Sequence, residues 1–147
     1  MPSRLSARLA LLLFLALAGG ACNDDSPSSP SQPPAGSGPA LVVETFSGSL
    51  AQNGSAFYSF NVPQTGQVLV TLITLREDGN DSTALVSLGV GSPVGTGCGV
   101  LSGSVIAAGG TPQVTTTLNP GIYCARVGDV GNLTAAATFV INIARPR

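Results

Sequence analysis

Three kinds of residue decide which chemistry is open to this chain: one dense run of carboxylates, three cysteines, and a complete absence of His and Lys. The run Glu77-Asp78-Gly79-Asn80-Asp81-Ser82 offers several oxygen donors within one loop, the donor type that Ca²⁺ prefers. Asp78, Asn80 and Asp81, with Asp129 as a further contributor, are the candidate ligands; the spacing is not that of an EF-hand, and a solvated turn accounts for the same residues. Nucleophilic hydrolysis lacks its base, since neither His nor Lys occurs and no Gly-x-Ser-x-Gly elbow is present. A carboxylate pair acting on a glycosidic bond would have to draw on Glu44 with Glu77, Asp78, Asp81 or Asp129. Cysteines without His give no credible zinc site, and Gly95-Thr96-Gly97-Cys98-Gly99 reads as a flexible loop, with no Lys and no following helix to hold phosphate. No catalytic residue and no firm cofactor follow from these patterns.

The segments that must position these groups have distinct textures. Met1 to Ala21 carries Arg4 and Arg8, then the apolar run Leu9 to Ala18, then Gly19-Gly20-Ala21, the three parts of a secretory signal. A bilayer-spanning helix needs about 20 apolar residues, and the uninterrupted run is about half that. Residues 23–39 are built from Asp, Ser, Pro, Gln and Gly, too polar to offset the entropy of ordering, and read as a tether reaching roughly 25 Å as a coil. Beyond Cys22 four Arg face seven carboxylates, a balance that leaves no basic footprint and excludes a nucleic-acid partner.

From Ala40 onward the hydropathy pattern has period 2. Leu41 to Leu50 places Phe46, Gly48 and Leu50 on one face and ends at the Asn53-Gly54 turn signal. Ala56, Tyr58, Phe60 and Val62 alternate with Phe57, Ser59 and Asn61. The first set faces a core; Phe57, sharing its face with polar residues, is the exposed aromatic and the candidate ligand contact. Further strands are expected over Gln67 to Leu75, Thr83 to Val90, Thr111 to Leu118, Ile122 to Val127 and Thr134 to Ala144. In the fourth of these, opened by Pro120-Gly121, Tyr123, Ala125 and Val127 face inward, and Ile122, Cys124 and Arg126 face outward. The Gly- and Ser-rich segment Gly91 to Gly110 gives little pattern beyond a short strand at Val100 to Ala107. Short, regularly spaced strands and no amphipathic helix predict an all-β fold, a small antiparallel, jelly-roll-like β-sandwich over residues 40–147.

Two resemblances sharpen these expectations. Gly20-Ala21-Cys22 resembles the processing site of bacterial lipoproteins, with Gly19 in the usual aliphatic position; it implies signal removal over residues 1–21 and lipidation of Cys22, followed by the tether to Pro39. Phe46-Ser47-Gly48-Ser49-Leu50, Phe57-Tyr58-Ser59-Phe60-Asn61-Val62 with the Gly66 turn, and Leu118-Asn119-Pro120-Gly121-Ile122-Tyr123 resemble the bacterial pre-peptidase C-terminal domain. That family implies a small sandwich on secreted or surface proteins. With Cys22 given to lipid, Cys98 and Cys124 in an exported chain read as a disulfide. The expected protein is a non-catalytic module, binding or structural, held to the membrane by its lipid anchor at the outer membrane or cell surface. Its expected partner is an envelope polysaccharide or protein.

Overall fold

Alternating apolar and polar residues form strands through nearly all of the region that the computed structural model describes, residues 40–147. The signal segment 1–21, the lipidation site Cys22 and the tether to Pro39 lie outside the described residues. Nine strands follow in order: β1 (Leu41–Leu50), β2 (Ser55–Val62), β3 (Gly66–Glu77), β4 (Asn80–Asp81), β5 (Val86–Val94), β6 (Gly97–Ile106), β7 (Val114–Leu118), β8 (Gly121–Asp129) and β9 (Ala137–Pro146). They build two antiparallel sheets. One runs β1-β9-β3, with β4 and β7 pairing different ends of β3; the other runs β2-β8-β5-β6. The inward residues of both sheets meet in one core that contains Leu50, Phe60, Val70, Leu72, Leu88, Val127, Phe139 and Ile141, all buried. The architecture is the all-β sandwich that the period-2 pattern predicts.

The aromatics divide as their neighbours dictate. Tyr58 stacks on Phe46 with ring centroids 4.8 Å apart and donates its hydroxyl to the Ser47 carbonyl at 2.6 Å. Tyr123 lies 6.2 Å from Phe60 and also packs on the core, so both tyrosines serve the interior, while Phe57 faces out and is 38% exposed.

Three segments depart from the sequence expectation. Residues 77–82 are no open acidic loop. Glu77 pairs with Asn80, and the two residues between them, Asp78 and Gly79, both have positive φ (50° and 79°), the two-residue hairpin turn that matches strand twist. The strand expected from Thr83 begins only at Val86 but runs on to Val94. Gly91 to Gly110 is the largest correction: Gly95-Thr96, with Gly95 at φ 55°, is the two-residue turn of a long hairpin, and Gly97 through Ile106 is continuous strand. These strands are rich in Gly and Ser, so they lack the alternating bulk that marks a half-buried strand.

The glycines have a packing cause. A Cβ on Gly91 would stand 1.9 Å from the Gly99 carbonyl oxygen, and one on Gly89 would stand 2.6 Å from Val100 Cγ1. Strand β6 thus coils across the outward side of β5, and only glycine leaves room beneath it. A register shift between Val90 and Gly91, which leaves Leu101 unpaired, supplies the extra twist. The Cys98–Cys124 disulfide joins β6 to β8 across β5 and closes the coil, with the two Cα atoms 5.9 Å apart.

Replacing both cysteines with Ala should lower the unfolding free energy by about 3.5 kcal/mol, the chain-entropy value for a 26-residue separation. Urea unfolding of the oxidised wild type and the double variant checks this; a loss below about 1 kcal/mol would show the unfolded chain to be restrained already.

Candidate functional site

The outward face of the four-stranded sheet carries the site, and strand register determines its content. Phe57 on β2 stands opposite Arg126 on β8, Arg126 stands opposite Gly89 on β5, and Gly89 stands opposite Gly103 on β6. Residues in register across a pleated sheet point to the same side. One row across four strands therefore reads aromatic ring, guanidinium, and two positions without side chains. Beside Arg126 an open groove of about 400 Å³ runs past Gly89 and Gly103, with the Val100 side chain packed over Gly89. Val100 and Val105 form its apolar wall, and Ser87 contributes a hydroxyl. This volume falls within the range of small-ligand sites.

Each wall has a structural origin. Val100 sits over Gly89 because the disulfide and the register shift draw β6 across β5. Ser87 donates its hydroxyl to the Gly128 carbonyl at 2.9 Å, which leaves the oxygen's lone pairs to accept. Arg126 is exposed, and among the described residues it has neither a salt bridge nor a hydrogen bond from its side chain. The neighbouring outward positions on β2 are Ser55, Ser59 and Asn61, so Phe57 is a lone aromatic on a hydroxyl-rich strand face.

The carboxylates singled out by the sequence sit elsewhere and already have partners. Asp81 pairs with Arg76 at 2.7 Å in an exposed contact, and Asn80 donates to the Asp78 carbonyl at 3.3 Å across the hairpin turn. Asp129 accepts the amide of Asn53 at 2.7 Å on one oxygen and the amides of Gly131, Asn132 and Leu133 on the other. Among the described residues no three Cys, Asp or Glu side chains gather into a group that could hold a metal ion. The proposed Ca²⁺ ligands Asp78, Asn80, Asp81 and Asp129 thus divide between a tight hairpin turn and an amide-saturated carboxylate.

Glu44 forms an ion pair with Arg145 on the adjacent strand β9. It stands opposite Ile143, whereas Glu77 stands opposite Ala137 on the same strand. Those positions are six residues apart, roughly 20 Å along an extended chain. That is well beyond the separation of about 5 to 9.5 Å at which two carboxylates flank one glycosidic bond.

Glu77 and Asp129 together fix the segment between β8 and β9. Glu77 accepts the Ser82 hydroxyl at 2.5 Å, the amides of Thr134 and Ala135, and the Thr134 hydroxyl. The Ser82 hydroxyl first, then the two amides, hold the Glu77 carboxyl at about 2 against the ordinary 4.5. The Asp129 carboxyl is also lowered, chiefly by the Asn53 amide, with desolvation opposing and the Asn132, Leu133 and Gly131 amides adding to the shift.

No family model matches the sequence, and no curated protein is similar to it. Among solved structures, the chain is similar to a mitogen derived from Yersinia pseudotuberculosis, with 10% identity and a TM-score of 0.48, over 73% of this chain and 86% of that one. It is also similar to a Bacillus endospore appendage from a family of disulfide-linked pili, with 17% identity and a TM-score of 0.39, over 74% and 90%.

Sequence reasoning places Phe57 and Arg126 on outward faces but on separate strands; the β2–β8 register joins them. Ser87, Gly89, Val100 and Gly103 carry no such signal, because their segment lacks bulk alternation.

A depressed carboxyl pKa favours the folded state above the unfolded value and loses that contribution as the pH falls through the folded value. Stability should therefore hold down to about pH 4.5 and decline between there and about pH 2 as Glu77 protonates. Glu77→Gln should reduce the stability and flatten that decline in urea unfolding followed across this range; an unchanged slope would move the acid limb to other groups.

Proposed function

We propose that this chain is a lipid-anchored protein of the bacterial cell envelope whose sandwich is a non-catalytic binding module. One observation carries the reading: the Phe57–Arg126 row beside the groove that runs past Gly89 and Gly103. An exposed ring and an unpaired guanidinium side by side on one sheet are groups that bind, and both face solvent. The groove's polar groups are a guanidinium and a hydroxyl, suited to holding a ligand in place.

The N-terminal residues supply the anchor. The Arg-flanked apolar run followed by Gly20-Ala21-Cys22 supports export and acylation at Cys22, and the Pro- and Ser-rich residues that follow give the module reach from the membrane surface. The resemblance to pre-peptidase C-terminal domains agrees with such a role, a small sandwich borne by surface proteins, and rests on the short motifs quoted above.

The full chain, expressed with its own leader in a Gram-negative host, should partition with membranes and incorporate labelled palmitate. Cys22→Ala should abolish both. Purified full chain should bind at least one envelope polysaccharide or peptidoglycan preparation saturably and release no reducing ends from it. Turnover by the wild type would overturn the non-catalytic reading, and a soluble wild type would overturn the anchor.

A further inference from the structure

We propose that the groove recognises an acidic polysaccharide, seating a uronic-acid-type residue with its ring on Phe57 and its carboxylate on Arg126. The inference rests on the reading of the domain as a binding module and adds the class of ligand.

Three observations converge on it. The first is the state of the cation. Arg76 is paired with Asp81 and Arg145 with Glu44, whereas Arg126 has no protein partner among the described residues. A guanidinium presents parallel donors that match a carboxylate bidentately, so the ligand's complement at this position is an anion of that shape.

The second is the placement of the ring. Directly opposed residues on antiparallel strands have Cβ atoms about 5 Å apart, so the Phe57 ring and the Arg126 side chain rise from adjacent points of one face. A pyranose lies with its C–H face on an aromatic ring, and the carboxylate of a uronic acid projects from the rim of that sugar, roughly in its mean plane. A sugar centred on Phe57 can direct this carboxylate along the row to the guanidinium.

The third is the continuation of the row. Past Arg126 the Val100 side chain packs over Gly89 and gives an apolar surface to meet C–H groups, with the Ser87 hydroxyl beside it to accept from a sugar hydroxyl. The groove is open, so a polymer can continue through it. Hydroxyl-bearing Ser55 and Ser59 flank Phe57 on the same face. These surroundings favour a saccharide over an acidic peptide, whose side chains would need apolar pockets beside the ring.

The opposite sheet provides an internal control. Its outer face holds a groove of about 360 Å³ lined by Ser47, Thr74, Thr138 and Arg76, but that guanidinium is occupied by Asp81.

The test is binding of the full chain, purified in mild detergent, to polygalacturonate, its methyl ester, a neutral galactan and poly-glutamate. Wild type, Arg126→Gln, Phe57→Ala and Arg76→Gln are compared after circular dichroism and thermal melting show native folds. We expect saturable, salt-sensitive binding of polygalacturonate, at least tenfold weaker binding of the methyl ester, and at least tenfold losses in Arg126→Gln and Phe57→Ala. Arg76→Gln should bind as wild type. Equal binding of acid and ester, or full retention in Arg126→Gln, overturns the carboxylate assignment while leaving a saccharide-binding module. Poly-glutamate binding as tight as polygalacturonate, lost with Arg126, overturns the sugar in favour of an acidic peptide. Failure to bind any of these probes overturns this inference, and if envelope polysaccharides and peptidoglycan also fail to bind, the binding-module reading falls with it.

Discussion

The outward face of the four-stranded sheet takes its shape from one crossing: β6 passes over β5 at Gly91 and is tied to β8 by the Cys98–Cys124 disulfide. An edge strand ordinarily lies beside its neighbour and leaves the sheet face flat. Here the register shift at Gly91 turns β6 out of the sheet plane, and the close approach of Gly91 to the Gly99 carbonyl admits no side chain between the strands. Val100 is carried over Gly89 as a result. The groove and its apolar wall are therefore consequences of the crossing. The bridge adds a topological restraint as well. The β5–β6 ladder continues on both sides of the unpaired Leu101, and the covalent link fixes the hairpin to β8 in that geometry.

A second constraint works at the end of the sandwich where β8 leads into β9. Residues 130–136 carry consecutive backbone amides that no strand satisfies, and two carboxylates collect them: Asp129 takes those of Gly131 to Leu133, and Glu77 takes those of Thr134 and Ala135. Asp129 also binds the Asn53 amide in the β1–β2 turn, so the same side chain ties the start of β2 to the end of β8. That tie helps set the register that puts Phe57 opposite Arg126. The acidic residues thus act on the outward face of the four-stranded sheet from a distance, as structural acceptors. Buried or half-buried amides need such partners, and a carboxylate can accept several at once.

How much of this can be read in the sequence depends on side-chain bulk. Where large and small residues alternate, as in Ala56 to Val62 and Ile122 to Val127, the strand, its inward face and the outward position of Phe57 and Arg126 are all legible. From Gly91 to Gly110 they are not, because a strand of Gly and Ser has two faces of nearly equal hydropathy. The Asp78-Gly79 pair is a different case. It is a strong hairpin signal, yet its carboxylate neighbours also fit a hard-cation loop, and only the pairing of Glu77 with Asn80 decides in favour of the turn. The disulfide follows from cysteine number and export. Its position across β5 does not, since that depends on a hairpin the sequence conceals. Register is the general gap: Phe57 and Arg126 are 69 residues apart, and no local pattern links them.

With four Arg and no Lys in the described region, cations are scarce, and two of the four are neutralised by partners on the same sheet, Arg76 by Asp81 and Arg145 by Glu44. Glu77 and Asp129 spend their oxygens on amides and hydroxyls and offer nothing to a distant cation. Arg126 and Arg147 are left without an ion-pair partner among the described residues, and of the two Arg126 stands opposite an exposed ring on the face that carries the groove. An exposed ion pair is worth little to stability, so the fold would gain little from giving Arg126 a partner. A neutral polar residue at the same outward position would serve the sheet equally well. The stability of the fold does not account for the arginine, and on the proposed reading its position at the mouth of the groove, one strand from Phe57, sets the geometry of the ligand.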